Sequence, residues 1–267
     1  MATLRNLRNI LEANVSSDAM YKVCNYLSDE KAVRNSKQLP FRFLSAYREL
    51  KTIDLPYLSS ILEALEDAVM VSAKNIKGFG FDTSVVIAAD VSGSMQQPVS
   101  PKSKVLLYDI GLLMSMMLQS QCKNVVSGMF GDTWKRVPMP KNGILRNVDA
   151  FYKREGEVGY STNGYLVIED LLKRREKVDK VMLFTDTQLW DSNGGGNSFE
   201  NSWNQYKSFN PNAKLYIFDL AGYGRQPLDV RKNDVYLIAG WSDKIFDVLN
   251  ALEDKKSAVE MIKKVVL

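Results

Sequence analysis

From residue 83 onward, short apolar runs alternate with segments of helical periodicity. The first run, TSVVIAAD (83–90), is apolar at five consecutive positions, so it does not alternate as a half-exposed strand would. A strand of this kind is buried on both faces, which is typical of a parallel sheet covered by helices on both sides. The alternation therefore predicts an α/β fold, a doubly wound and mostly parallel sheet of the Rossmann-like type.

Five strands are expected in this sheet, and helical patterns separate them. The four strands after the first are VVSGMFG, KVMLFTD, AKLYIFDLAG and DVYLIAG. The helical patterns are KVLLYDIGLLMSMMLQSQ, ILRNVDAFYKR, NGYLVIEDLLKRRE, SFENSWNQYKSF and SDKIFDVLNALED, with a last helix near 255–265. In such sheets, ligands bind beyond the carboxyl ends of the strands.

The first 80 residues have a different rhythm, with apolar residues spaced three and four apart. Four amphipathic helices are predicted there, over LRNLRNILEA, SSDAMYKVCNYLSD, LPFRFLSAYREL and LPYLSSILEALEDAVMVSAKNI. Pro40 and Pro56 suit helix starts. The glycine-punctuated stretch KGFGFD (77–82) reads as a linker. We therefore predict a small all-helical segment over 1–80 and an α/β domain over 81–267.

Charge and composition exclude several classes of function. The chain has no histidine, which removes Ser-His-Asp triads, Cys-His pairs and imidazole-bound zinc. No apolar stretch is long enough for a membrane span, and Cys24 and Cys122 read as free thiols of a reduced, cytoplasmic protein. Nine Lys or Arg and five Asp or Glu lie in residues 1–52, so the net charge of +4 belongs to this segment. It is either a solvated helix face or the place where an acidic partner such as RNA would bind.

Polar side chains follow two of the predicted strands. Asp90, Ser92 and Ser94 come at the end of the first strand, Thr162 lies in the loop GYSTNG, and Asp186 follows KVMLFT. Two carboxylates and several hydroxyls form a hard oxygen set that suits Mg²⁺, Mn²⁺ or Ca²⁺. Taken alone, Asp-x-Ser-x-Ser is equally well explained as a helix cap. With Thr162 and Asp186 following in order, the sequence predicts a divalent-cation site.

The motif DVSGS, followed by a loop Thr and a strand-end Asp, resembles the metal-ion-dependent adhesion site (MIDAS) of von Willebrand factor A domains. The segments LRNLRNIL, LPFRFLSAY, FTDTQLW and IAGWSDKIFDVL are further similar to the Ro ribonucleoprotein family, in which a ring of helical repeats, the TROVE domain, is joined to such an A domain. The resemblance implies that the two Ser and the Thr coordinate the cation directly, and that the Asp residues often act through water.

Two departures from the family pattern affect these expectations. The chain begins within what resembles the last part of the helical ring, so it reads as a fragment, a deliberately shortened version or a naturally short relative. Asn163 stands where relatives commonly carry an acid, which would weaken the outer coordination shell. Asp132 is a candidate replacement, although Asp is also a common turn residue.

The resemblance implies a non-enzymatic binding protein for small noncoding or misfolded RNA, with Arg5, Arg8, Lys37 and Arg42 as candidate RNA contacts. The alternative is a metal-dependent docking module that accepts an acidic side chain from a protein partner and has no RNA role. A phosphotransferase would need a carboxylate where Ser92 stands, and a nuclease would need carboxylates gripping its ions. Catalytic residues are therefore not expected. The four Trp residues are interpreted as packing residues rather than as a platform on which bases stack. The glycines of DSNGGGNSF are interpreted as a surface loop rather than as a phosphate-binding loop.

Overall fold

The structure is a computed structural model that describes residues 2–36, 38–74, 76, 78–101, 103, 105–154, 156–188, 198–224, 228–229, 231–240 and 244–253. The helices are α1 (Ala2–Arg5), α2 (Leu7–Glu12), α3 (Ser17–Ser28), α4 (Glu30–Ser36), α5 (Pro40–Leu50), α6 (Leu58–Ala73), α7 (Leu107–Gln121), α8 (Ile144–Tyr152), α9 (Tyr165–Arg174), α10 (Ser198–Phe209) and α11 (Lys244–Glu253). The strands are β1 (Ser84–Asp90), β2 (Asn124–Phe130), β3 (Trp134–Arg136), β4 (Lys180–Thr185), β5 (Lys214–Asp219) and β6 (Val235–Ala239), and a short 3₁₀ helix spans Gly93–Gln96.

The described strands form one six-stranded sheet in the order β3-β2-β1-β4-β5-β6. All neighbours are parallel except β3, which runs antiparallel to β2. The predicted α/β class with a mostly parallel sheet is confirmed. Because β1 lies between β2 and β4, the loops that leave these three strands emerge side by side at the carboxyl edge.

Helices cover both faces of the sheet. Along β1, Val85 and Ile87 belong to one apolar core, whereas Val86 and Ala88 belong to another. The first core contains residues of α7, α8 and α11 together with the N-terminal helices, and the second contains residues of α9 and α10. Burial on both faces explains why the strand reads as an uninterrupted apolar run.

The N-terminal helices pack directly on helices of the α/β segment. Helix α5 contacts α7, and α6 contacts both α7 and α8. Polar contacts join the same elements, since the Arg48 guanidinium binds the buried carboxylate of Asp109, and Glu66 accepts hydrogen bonds from the first turn of α8. The boundary near residue 80 is crossed by one continuous core, and the division into 1–80 and 81–267 stays a prediction.

Three features of the fold differ from the expectations. β3 was not expected, because a three-residue edge strand has too few residues to show a period. Helix α4 was also missed; its start is capped by Asp29, whose Oδ1 accepts from the backbone N–H of Ala32 at 2.6 Å. The segment expected as one helix over LRNLRNILEA is two helices, separated at Asn6. The expected helix near 255–265 lies outside the described residues.

Candidate metal centre

The two predicted carboxylates lie at neighbouring strand ends. Asp90 is the last residue of β1, and Asp186 directly follows β4, which pairs with β1. Both side chains are buried. The Thr185 hydroxyl donates to Asp90 Oδ2 at 2.5 Å and so connects the two strand ends. The parallel register, rather than any local motif, places the two carboxylates at one edge.

The loop after β1 arranges the two serines around the carboxylate of Asp90. The backbone N–H of Ser92 donates to Asp90 Oδ1 at 2.9 Å, and the Oγ atoms of Ser92 and Ser94 are 3.2 Å apart. Ser92 precedes the 3₁₀ helix Gly93–Gln96, but its side chain makes no capping hydrogen bond to it. The helix-cap interpretation therefore does not account for the Ser92 hydroxyl.

The loop that carries Thr162 is held against the ends of β1 and β2. Gly93 N–H donates to the carbonyl oxygen of Tyr160 at 3.1 Å, and Asn163 N–H donates to the carbonyl oxygen of Gly131 at 3.1 Å. Thr162, which is buried, lies between these two attachment points. Three loops that are distant in sequence, after β1, before α9 and after β4, thus meet at the same edge.

Asp132 anchors the Thr162 loop from the end of β2. Its Oδ1 accepts from the backbone N–H of Ser161 at 2.9 Å, and hydrogen bonding by Ser161 holds the pKa of Asp132 below its ordinary value. Asn163 Nδ2 donates to the Asp132 carbonyl oxygen at 3.3 Å. Gly159 is required beside it, because a Cβ atom there would lie 2.0 Å from Asp132 Oδ2 and its φ is +76°. Asp132 therefore stabilises the loop that carries Thr162, which agrees with its interpretation as a turn residue.

Residues next to Asp186 were not singled out from the sequence. Gln188 binds the Asp186 carboxylate twice, with its backbone N–H to Oδ1 at 3.1 Å and with Nε2 to Oδ2 at 3.0 Å. Thr187 N–H donates to the Thr185 hydroxyl at 3.1 Å. The signal was present in DTQ (186–188), a polar run directly after a buried strand, but only the tertiary contacts separate the roles of its members.

The electrostatics of this edge favour a cation. Burial and, to a smaller extent, the nearby charge of Asp186 together raise the pKa of Asp90 to about 7, although the hydrogen bonds from Ser92 and Thr185 lower it. Two buried carboxylates repel each other unless a positive charge lies between them. Adjacent oxygens of an octahedral Mg²⁺ site, at about 2.1 Å from the ion, are about 3.0 Å apart, close to the spacing of the Ser92 and Ser94 hydroxyls.

The residues at this edge therefore fit a divalent cation bound mainly through hydroxyl groups. Among the described residues, no group of three or more His, Cys, Asp and Glu forms a metal cage. A site that consists of the hydroxyls of Ser92, Ser94 and Thr162 and only two carboxylates does not belong to this class of metal cage. The ligand roles of these residues stay predictions.

The candidate RNA contacts lie on adjoining helices. Helices α1 and α2, which carry Arg5 and Arg8, both contact α5, which carries Arg42. All three side chains are exposed, but Arg8 Nε is 2.8 Å from Glu12 Oε1 in an ion pair, and the Arg42 guanidinium lies 5.3 Å from the Phe41 ring centroid. Lys37 lies outside the described residues.

The remaining candidates from the sequence have structural roles where they are described. Trp203 is fully buried and donates to the Asn233 carbonyl oxygen at 2.9 Å, and Trp134 donates to Asp170 at 3.2 Å. Trp190, Trp241 and the glycines 194–196 lie outside the described residues. Within the described part of the chain, no helix is long and apolar enough to cross a membrane.

Two family models match the sequence. The Ro60 von Willebrand factor A (vWA) domain model matches residues 84–252, and the TROVE domain model matches residues 1–67. No curated protein matches the chain significantly.

A solved Ro protein structure shows the same fold, and the chain is also similar to other solved structures. The Ro (RSR) protein of Deinococcus radiodurans is 19% identical with a TM-score of 0.66, and the alignment covers 95% of this chain and 52% of that one. This chain thus spans about half the length of that Ro protein. An aerotolerance-related membrane protein of Bacteroides fragilis is 15% identical, with coverage of 65% and 99% and a TM-score of 0.44. The manganese-loaded TRAP protein of Plasmodium vivax is 17% identical, with coverage of 60% and 68% and a TM-score of 0.37.

Proposed function

We propose that this chain, which belongs to the Ro60 von Willebrand factor A domain family, is a non-enzymatic binding protein for small noncoding or misfolded RNA. We further propose that it contains a divalent-cation site. The observation that carries the cation site is the convergence of three loops at the carboxyl edge of the sheet. In one of these loops, the hydroxyls of Ser92 and Ser94 lie 3.2 Å from each other, and the carboxylates of Asp90 and Asp186 are buried at the same edge.

The hydroxyls of Ser92, Ser94 and Thr162 would hold the cation, and Asp90 and Asp186 would act behind them. Both oxygens of each carboxylate already accept hydrogen bonds within the site, which favours an indirect role through water. When bound, the cation supplies an electrophilic centre for a carboxylate or phosphate oxygen, because the neutral hydroxyls leave its charge only partly balanced. Mg²⁺ is the proposed ion, with Mn²⁺ or Ca²⁺ as alternatives.

The absence of catalysis is part of the proposal. The position two residues after Asp90 is the hydroxyl of Ser92, so a carboxylate pair for nucleophile and acid is missing there. Both oxygens of Asp186, the other carboxylate of the site, accept hydrogen bonds from Gln188. The arrangement suits binding of an acidic group and not its cleavage.

Metal binding is tested by thermal unfolding of the protein in MgCl₂ and in EDTA. We expect Mg²⁺ to raise the unfolding temperature, because a ligand that binds only the folded state stabilises it. A double variant, Ser92→Ala with Ser94→Ala, should lose the Mg²⁺ effect, and Ser208→Ala is the matched control, since Ser208 is exposed on α10. An equal Mg²⁺ effect in the double variant would refute the assignment of the two hydroxyls.

RNA binding is proposed for the face formed by α1, α2 and α5. Arg5 and Arg42 are exposed, and no ion pair is found for either among the described residues, so both can contact phosphates. Cytoplasmic localisation is the expectation that accompanies this role. Affinity that depends on such contacts falls steeply with salt, because each phosphate contact releases a counterion.

The test is fluorescence anisotropy of a labelled RNA hairpin with a single-stranded tail, at two salt concentrations. We expect the double variant Arg5→Ala with Arg42→Ala to weaken binding and to lower the salt slope by about 0.7 per lost phosphate contact. The control, Lys153→Ala with Lys173→Ala, removes the same charge from exposed positions of the A domain. Equal losses in both variants would indicate nonspecific attraction, and no binding at low salt would refute the RNA role of this chain.

One observation favours the alternative of a protein-docking module. Four of the basic residues in the N-terminal segment are engaged by acids: Arg8, Arg34, Arg48 and Lys51. This leaves less free positive charge for RNA than the composition indicates. In that case an acidic peptide should bind in Mg²⁺, and binding should be abolished by EDTA or by Asp186→Ala while Arg5→Ala has no effect.

A further inference from the structure

Thr187, which directly follows Asp186, has an unusual backbone conformation. Its φ is +61°, in the left-handed region. Residues with a branched Cβ rarely adopt this region, because the Cβ atom approaches the following carbonyl group. Glycine would be free of this strain, so a threonine here requires another reason.

The side chain of Thr187 has a second unfavourable feature. The residue is only 3% exposed, and its Oγ1 is buried without a hydrogen-bond partner among the described residues. Buried hydroxyl groups are nearly always hydrogen-bonded in folded proteins, and an unmade bond is destabilising. The strain and the unpaired hydroxyl occur in one residue, and both would disappear with glycine.

The position of Thr187 connects it to the candidate metal centre. Its N–H donates to the Thr185 hydroxyl, which in turn donates to Asp90 Oδ2. One hydroxyl group thus separates the Thr187 backbone from the carboxylate of Asp90, and Asp186 precedes Thr187 in the chain. Among the described residues that build this edge, Thr187 has the buried side-chain oxygen for which no hydrogen-bond partner is found.

We propose that the Thr187 hydroxyl is a positioning group of the metal centre, which hydrogen-bonds an oxygen atom bound to the cation. That oxygen belongs to a water molecule when the cation binds alone and to the acidic group of a partner when one is docked. The inference rests on the proposed cation site and adds to it a residue outside the set of Asp90, Ser92, Ser94, Thr162 and Asp186. It explains why a strained threonine with an unpaired hydroxyl is present at this position.

The experiment compares Thr187→Val with the unaltered protein in thermal unfolding and in calorimetric titration with MgCl₂. Valine matches threonine in shape and in backbone strain but lacks the hydroxyl. In EDTA we expect Thr187→Val to be at least as stable as the unaltered protein, because the unpaired hydroxyl is gone. In Mg²⁺ we expect its affinity for the ion to be about two- to tenfold weaker, the effect of one hydrogen bond.

A second pair keeps the test decisive if Thr187→Val does not fold. Thr187→Ser retains the hydroxyl, Thr187→Ala lacks it, and both relieve the β-branched strain. Only the serine variant should keep the affinity for Mg²⁺. Equal Mg²⁺ affinity in all variants overturns the role of Thr187 while leaving the cation site intact. No Mg²⁺ effect in the unaltered protein refutes the cation site itself, so the two failures are distinguishable.

Discussion

Glu66 joins the N-terminal helices to the A domain and allows a quantitative prediction. Its side chain is buried, and its two carboxylate oxygens accept from the backbone N–H groups of Leu145 at 2.9 Å and Arg146 at 3.1 Å. These donors belong to the first turn of α8, which has no partners of its own helix for them. A glutamate of α6 therefore caps a helix of the other segment.

The expected loss follows from the two bonds. Each buried donor left without a partner costs about 1–3 kcal/mol. The cleft beside Glu66, about 540 Å³ and lined by Arg146 and Lys74, admits water that would satisfy part of this demand. Removal of the buried carboxylate also removes the free-energy cost of its desolvation, which offsets part of the loss in stability. We therefore expect Glu66→Ala to lower the free energy of unfolding by about 2 kcal/mol, and Glu66→Gln, which keeps one acceptor, by about half as much.

The pH dependence gives an independent check. Burial raises the pKa of Glu66 above its ordinary value of 4.5, although the N–H groups of α8 oppose the shift. The folded state then binds the proton more tightly than the unfolded state, so this residue's contribution to stability falls as the pH rises from about 4.5 through the raised pKa. Glu66→Gln should remove that part of the decline.

The assay is urea unfolding between pH 4 and pH 8, monitored by tryptophan fluorescence and by circular dichroism. Glu63→Gln and Glu63→Ala are the controls, because Glu63 is exposed on the same helix. Equal stability losses at Glu66 and Glu63 would refute the capping role. An unchanged pH profile in Glu66→Gln would refute the raised pKa.

Three further predictions concern other parts of the molecule. Arg48→Met should lower the free energy of unfolding by about 3 kcal/mol in urea, because it leaves the buried carboxylate of Asp109 without its cation; a loss below about 1 kcal/mol would contradict this. Gly159→Ala should release the loop held by Asp132, since its Cβ would clash at 2.0 Å, and hydrogen exchange of the loop should accelerate; unchanged exchange would count against the anchor. Burial raises the pKa of the Cys122 thiol to about 11, so maleimide labelling at pH 7, followed by mass spectrometry, should be slow until urea is added.

The sequence predicted those features that depend on local periodicity. The apolar run of β1 indicated burial on both faces, and the division of its residues between two apolar cores confirmed it. Pro40 marked the start of α5, where the structure has it in the first turn. Periods of two and of 3.6 residues are visible within one element, because they arise from the geometry of a single strand or helix.

Features without a period were missed for a physical reason. β3 has only three residues and exists because Gly128, Met129 and Phe130 offer a free strand edge. The cap of α4 by Asp29 is a local signal, but the helix is short and mostly polar, so its hydrophobic pattern is weak. Whether such short elements form depends on their pairing partners and caps, and not on the periodicity of the segment.

The sequence by itself determined the alternation of buried strands with helices, and with it the edge at which Asp90, Ser92, Ser94, Thr162 and Asp186 were expected. Parallel strands all end at the same side of a sheet, so their common direction places Asp90 and Asp186 at one edge. Only the tertiary structure decided how that edge is built: the Thr185 bridge to Asp90, the Gln188 clamp on Asp186 and the strained Thr187. These contacts depend on the relative position of loops that are distant in the chain, which no local pattern encodes.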